Sequence, residues 1–309
     1  MRRLAARLCV FALLAGAFAL APGAARAQYP LWVEDPSVLA DGETALRIGA
    51  DYARVGRGIE LYRFPSLYWK TGVGGVGEGI IVFNLGEVNQ DGDEQGWDIE
   101  SFSVASKLRL HESASPGKWD TSLAFGVKIP SSDTSKGVGV DATDFHARML
   151  AARNIGKTRI ILNGGVGILE KVTNLWGQDD ILEWGAAAVT PIGKRGEVML
   201  ELSGNTSSSR GPSSLLALAG VRHRLHNGNS WDAYARWGLT GQSDNVAFGV
   251  GYTINAELFP SRVIVVETES LERAALEELL SGKLAHLSDE DKQAIREFFA
   301  AEGGAAGGE

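Results

Sequence analysis

Between Trp231 and Asn255 the chain reads WDAYARWGLTGQSDNVAFGVGYTIN, two stretches in which residue character alternates position by position across a short polar link. Trp231, Ala233, Ala235, Trp237 and Leu239 fall on one face of the first stretch, opposite Asp232, Tyr234, Arg236 and Thr240. Val246, Phe248, Val250, Tyr252 and Ile254 share a face of the second, opposite Ala247, Gly249, Gly251, Thr253 and Asn255. A period of two is that of a strand. With the large apolar residues on one face and small or charged ones on the other, the hairpin has the pattern of a barrel wall with lipid outside and a polar lumen inside.

Runs of the same type recur at about 44–54, 57–70, 78–88, 98–111, 118–130, 143–155, 158–170, 180–190, 195–204, 213–226, 230–240 and 244–256. Twelve is an even number, as a closed single-chain barrel of this class requires, and each run reaches the ~9–11 residues that a tilted strand needs to cross hydrocarbon. The connections alternate in length. Long polar links are expected at NQDGDEQGW (89–97), SSDTSKGVGVDAT (131–143), KVTNLWGQDD (171–180) and NTSSSRGPSS (205–214). Short turns are expected around Asn154-Ile155-Gly156-Lys157, Pro191-Ile192-Gly193-Lys194 and His226-Asn227-Gly228-Asn229, each with a glycine suited to a tight reversal. Long loops at one end and short turns at the other are what an outer-membrane barrel shows, whereas a soluble β-sandwich predicts no such asymmetry.

The N-terminus points to the same compartment. Arg2, Arg3 and Arg7 precede the apolar stretch Leu8 to Leu20, and Ala25-Arg26-Ala27 offers a small-residue cleavage site, so residues 1–27 read as a secretory signal peptide. The single cysteine, Cys9, lies inside it, which leaves the exported chain with no disulfide and no thiolate metal site. Removing residues 1–27 takes away four arginines and no acid, so that 26 basic residues face 38 acidic ones and the net charge becomes −12. That balance excludes a nucleic-acid partner. Residues 28–43 read as a periplasmic N-terminal segment and 44–260 as the barrel.

Residues 261–309 differ in kind. Leu271, Ala274, Ala275 and Leu279 recur at helical spacing, and Ser288 with Asp291 three residues on makes an N-cap for a second helix. This tail carries five basic and eleven acidic residues. It reads as a short helical, acidic periplasmic appendage, a docking element for a periplasmic protein, or a lumen plug.

Function would lie on the lumen face. Where strand phase is clear, that face includes Lys107, Arg109, Asp120, Lys128, His146, Arg148, Glu183, Glu197, Glu201, Arg222, Arg224, Asp232 and Arg236. Both signs are abundant. They suit either a selectivity lining for a small solute or a structural ion-pair network that fills the barrel. Catalysis is not expected: His111-Glu112-Ser113 offers a His-x-Ser spacing, but no orienting Asn or Asp stands in register. No metal or cofactor is expected either. His223 and His226 project to opposite faces of a strand, and Asp91-Gly92-Asp93-Glu94 lacks a full calcium-ligand series.

The stretch Ser122 to Pro130 (SLAFGVKIP), a polar loop, Asp144, the turn Asn154-Ile155-Gly156-Lys157 and then Asn163-Gly164-Gly165-Val166-Gly167 resemble the outer-membrane barrel transporters associated with the meta-pathway of phenol degradation. Phe64-Pro65-Ser66-Leu67 and the turn near Gly74 fit as well, so the likeness covers roughly residues 44–256. The resemblance implies a barrel that passes small, often aromatic or apolar, solutes. It carries over no site residues, and the tail after residue 260 departs from the family's usual end at the last strand. The reading as a whole is an all-β, antiparallel transmembrane barrel of about twelve strands in the Gram-negative outer membrane, in contact with its lipid, through which a small solute passes passively. A non-conducting barrel whose tail recruits a partner is the alternative, and a lipid hydrolase at His111 and Ser113 a third.

Overall fold

The computed structural model describes residues 31–55, 58–113, 117–170, 178–207, 213–240 and 246–258, with 288–289 and 291–293. Residues 1–27, expected to be a signal peptide, and most of the tail lie outside the described residues. Twelve strands follow one another: β1 (Glu43–Arg54), β2 (Ile59–Val73), β3 (Gly77–Gln90), β4 (Asp93–His111), β5 (Trp119–Ile129), β6 (Asp144–Ile155), β7 (Thr158–Glu170), β8 (Gln178–Ile192), β9 (Gly196–Ser207), β10 (Ser214–Arg224), β11 (Ser230–Gly238) and β12 (Val246–Glu257). Each pairs antiparallel with its chain neighbours. β1 also pairs with β12, from Glu43↔Glu257 to Arg54↔Val246, so the sheet closes and no edge is left.

Alternation decides which side chains face outward and which line the interior. Phe248, Val250, Trp231, Trp237, Leu200, Leu202 and Val166 point outward and are exposed, while their chain neighbours Ala247, Asp232, Arg236, Met199 and Glu201 are buried inside. The outer band is flanked by exposed tryptophans: Trp119 and Trp231 begin their strands at the end carrying the short turns, and Trp184 and Trp237 stand toward the other end.

One link departs from the sequence reading. Residues 89–97 form no long loop: β3 and β4 continue as a paired hairpin to a tight turn at Asp91 and Gly92, both at positive φ. Beyond the lipid band both faces of a hairpin are wet, so the ladder persists through polar residues with no need of an apolar face. The 131–143 link is long as expected, but it folds back on the barrel through a single 3-10 turn at Thr134–Lys136. Val138 is buried with Ala53, Leu61, Val88 and Ala247, and Ser132 Oγ donates to the Glu100 carbonyl.

The larger departure is at the start. The segment expected in the periplasm enters the barrel: Leu31 and Val33 pack with Ala152, Ile161, Ala187, Met199, Leu218 and Tyr234, inward residues of six different strands. One peptide touches that many strands from one side only when it lies in the lumen. The lumen is therefore not uniformly polar, since its β6–β11 wall presents an apolar patch that this segment covers. In the tail, the Ser288 cap is present: the Asp291 N–H donates to Ser288 Oγ at 3.2 Å, and Ser288 Oγ donates to Asp291 Oδ2 at 2.6 Å. The helix over 271–279 lies outside the described residues.

Candidate functional site in the barrel lumen

The segment from Leu31 to Ala40 carries two adjacent acids, and each meets its own cations. Glu34 Oε1 lies 3.3 Å from Lys70 Nζ and 3.2 Å from Lys107 Nζ. Glu78 completes the group, its Oε1 at 2.9 Å from Lys70 and 3.0 Å from Lys107. Two lysines and two glutamates thus form a neutral, buried quartet drawn from the segment and from β2, β3 and β4. Asp35 takes Arg159 of β7, which also reaches Asp120 of β5 at 2.9 Å. Burial alone would push both acids up, but Lys107, Lys70 and Arg148 around Glu34, and Arg159 and Ser37 around Asp35, outweigh it and hold each carboxyl at about 2.

The segment's backbone is held mostly by side chains. The Trp32 and Val33 N–H groups donate to Glu201 Oε2 at 2.7 and 3.0 Å, and the Leu39 N–H to Glu78 Oε2 at 3.1 Å. Asn163 Nδ2 and Ser122 Oγ donate to the Glu34 and Pro36 carbonyls. Arg236 stacks over the Trp32 ring at 5.0 Å. Small residues make the room: a Cβ on Gly185 would stand 2.5 Å from Val33 Cγ2.

Most of the thirteen lumen residues read from the sequence are paired. Lys107, Asp120, Glu201 and Arg236 hold the segment as described. Asp232 binds Arg47 of β1. Toward the looped end, Lys128 pairs with Asp144 at 3.2 Å, and Glu183 takes His146 at 3.0 Å with Arg148 at 4.0 Å. Toward the termini, Glu197 lies between Arg222 and Arg224. Arg109 stands apart from the central groups, bound at the rim to Glu112 and to the Gly75 carbonyl.

Sequence reasoning missed Glu34, Asp35, Arg47, Asp51, Lys70, Glu78 and Arg159. The phase of β1 would have found two of them, since Ala45, Arg47, Gly49, Asp51 and Ala53 all share the inward face. Lys70 is masked by the bulge in β2 between Arg63 and Ser66, which shifts the alternation, and Glu78 stands at the very start of β3, beside the turn. Glu34 and Asp35 belong to no strand, so no periodicity marks them.

His111 ends β4 as an exposed residue, and Ser113 donates its backbone N–H to Asp120 at 3.0 Å. His223 faces outward against Trp231, with ring centroids 5.7 Å apart. Among the described residues, no group of three or more His, Cys, Asp or Glu could hold a metal ion.

No protein-family model matches the chain, and no curated protein matches it in sequence. Solved structures do match. An outer membrane channel from Pseudomonas putida F1 aligns over 72% of this chain and 98% of its own, with a TM-score of 0.57 and 8% identity. The KdgM porin aligns over 68% of this chain and 97% of its own, with a TM-score of 0.46 and 9% identity. The translocator domain of the autotransporter NalP from Neisseria meningitidis covers 70% and 87%, at 0.43 and 14%. The first of these shares the closed antiparallel barrel fold with this chain. Nothing in the comparisons bears on the narrower likeness to barrels of phenol degradation.

Proposed function

We propose that this chain is an outer-membrane barrel that lets a small solute cross passively when the segment Leu31–Ala40 moves aside. The observation that carries the reading is how the segment is held. Among the described residues it joins no strand, and the backbone N–H groups of Trp32, Val33 and Leu39 end on carboxylates. It can leave without breaking the hydrogen-bonded wall, whereas any strand that left would open a barrel edge to lipid. With the short turns, the start of β1 and the end of β12 in the periplasm, the segment enters from the periplasmic side and the folded-back 131–143 loop narrows the outer mouth. A small apolar or aromatic solute, as the sequence resemblance implies, agrees with the apolar patch that Leu31 and Val33 cover.

The test uses the absence of native cysteine outside residues 1–27. A Val33→Cys/Gly185→Cys variant can tether the segment, and planar-bilayer conductance is compared for wild type, the oxidised and reduced tether, and a deletion of residues 31–40. Oxidation should silence the channel, reductant should restore it, and deletion should enlarge the current. If the deletion variant folds, as heat-modifiable gel migration shows, and passes neither ions nor solutes, passage fails as a reading. The alternative is then favoured, a non-conducting barrel whose acidic tail recruits a periplasmic protein. The observation in its favour is how fully buried ion pairs pack the lumen, and the check is cross-linking of the full chain against a chain truncated at residue 260.

A further inference from the structure

Below the segment, at the end of the barrel bearing the termini, lies a cavity of about 270 Å³. Its two sides differ in chemistry. One is basic: Arg222 and Arg224, two residues apart on β10 and both turned inward, both meet Glu197, Arg222 also feels Asp232, and Lys157 stands at the β6–β7 turn. Arg159 also lines the cavity, but its charge is answered by Asp35 and Asp120. The positive charge open to a ligand therefore lies with Arg224 and Lys157. Arg224 is the accessible member, with its side chain 52% exposed. The other side is apolar, made by Leu31 of the segment, Ile161 of β7, Val189 and Pro191 of β8.

A basic pair facing an apolar wall at this volume suits one kind of small molecule. The geometry points to a binding site for a monocarboxylate with a compact apolar body, its carboxylate on Arg224 and Lys157 and its body against Leu31, Ile161 and Val189. Arginine presents a planar fork of donors that matches a carboxylate, and the apolar wall rewards the carbon body by area removed from water. An alcohol of the same body would forgo the charge, an amine would meet repulsion, and acetate would leave the wall uncovered. Because Leu31 belongs both to this wall and to the lumen segment, a bound carboxylate touches the element whose movement opens the passage. The inference names the solute class for the passive passage proposed above and rests on that reading. Binding, however, is measured without flux, so the two can fail separately.

The experiment titrates sodium hexanoate, hexanol, hexylamine and sodium acetate onto the folded full-length barrel in lipid nanodiscs, with empty nanodiscs subtracting lipid partition, by calorimetry. Hexanoate should bind with the tightest constant, and Arg224→Gln should weaken it about tenfold without changing hexanol. Val189→Asn should weaken hexanoate but leave acetate where it was. Hexanol binding as tightly as hexanoate, or Arg224→Gln with unchanged hexanoate affinity, would overturn the basic half of the site. Acetate equal to hexanoate would overturn the apolar half. Retained heat-modifiable migration shows that each variant is folded. A barrel that binds hexanoate but conducts nothing would sink the passage reading and leave the site standing.

Discussion

Arg47 of β1 and Asp232 of β11 meet across the inner face of β12, where Arg47 Nη2 and Nε donate to the two oxygens of Asp232 at 2.8 and 3.0 Å and both side chains are 1% exposed. The contact spans the barrel's closing seam. It is possible because Gly49 and Gly251 carry no side chain: a Cβ at either would overlap the Arg47 guanidinium.

That relationship makes the first prediction. Asp232→Ala takes a bidentate carboxylate from a buried guanidinium and should cost about 3 kcal/mol, the low end for breaking a buried pair because a lumen retains some water. Gly251→Ala should cost about 1–3 kcal/mol by overpacking and should lose most of that cost in an Arg47→Ala background. Urea unfolding in detergent micelles measures both, and additive effects at Gly251 and Arg47 would show that the glycine serves some other purpose.

Acid should release the lumen segment late. Glu34 and Asp35 have their carboxyls depressed to about 2 when docked, so the stability they contribute is complete above the ordinary carboxylate range and is lost as pH falls from there toward 2. Channel current, or quenching of Trp32 by a soluble quencher, should therefore stay flat from about pH 8 to about pH 5 and change below that. Glu34→Gln should shift the balance at neutral pH and shrink the acid response. A midpoint near pH 7 in the wild type would mean that another group controls the segment.

The folded-back loop supplies a third. Val138 is 4% exposed among Ala53, Leu61, Val88 and Ala247, so Val138→Asp buries a charge in an apolar cluster and should eject the loop rather than unfold the barrel. Trypsin should then cut at Lys136 much faster in whole cells, with heat-modifiable migration unchanged. Equal cutting in wild type would contradict the docked loop.

Lipid exposure supplies the fourth. Leu200 is 55% exposed midway along β9, next to Met199, which is fully buried on the lumen side. Leu200→Arg should cost about 2–4 kcal/mol in refolding into bilayers, the range for a basic residue at the membrane midplane. Little cost in the same assay would place β9 in water.

Most of the wall was legible along the chain because a strand's period is short and local. Residues 158–170 match β7, and 44–54, 118–130 and 143–155 match β1, β5 and β6 to within a residue, since lipid on one side and a filled lumen on the other force strict alternation. The β3–β4 hairpin escaped because outside the lipid no face has to be apolar.

The sequence by itself determined that twelve alternating runs must close into a wall, which face of each meets lipid, and that the inward face is rich in both charges, because all of these follow from the geometry of one strand. Only the tertiary structure decided which charges meet. Arg47 finds Asp232 at a separation of 185 residues, and Asp35 finds Arg159 at 124. Closure and register bring such partners together, and neither leaves a periodic trace. The filling of the lumen was decided there too: residues 31–40 have no period of their own, and their place follows from the apolar patch and the cations that separate strands assemble.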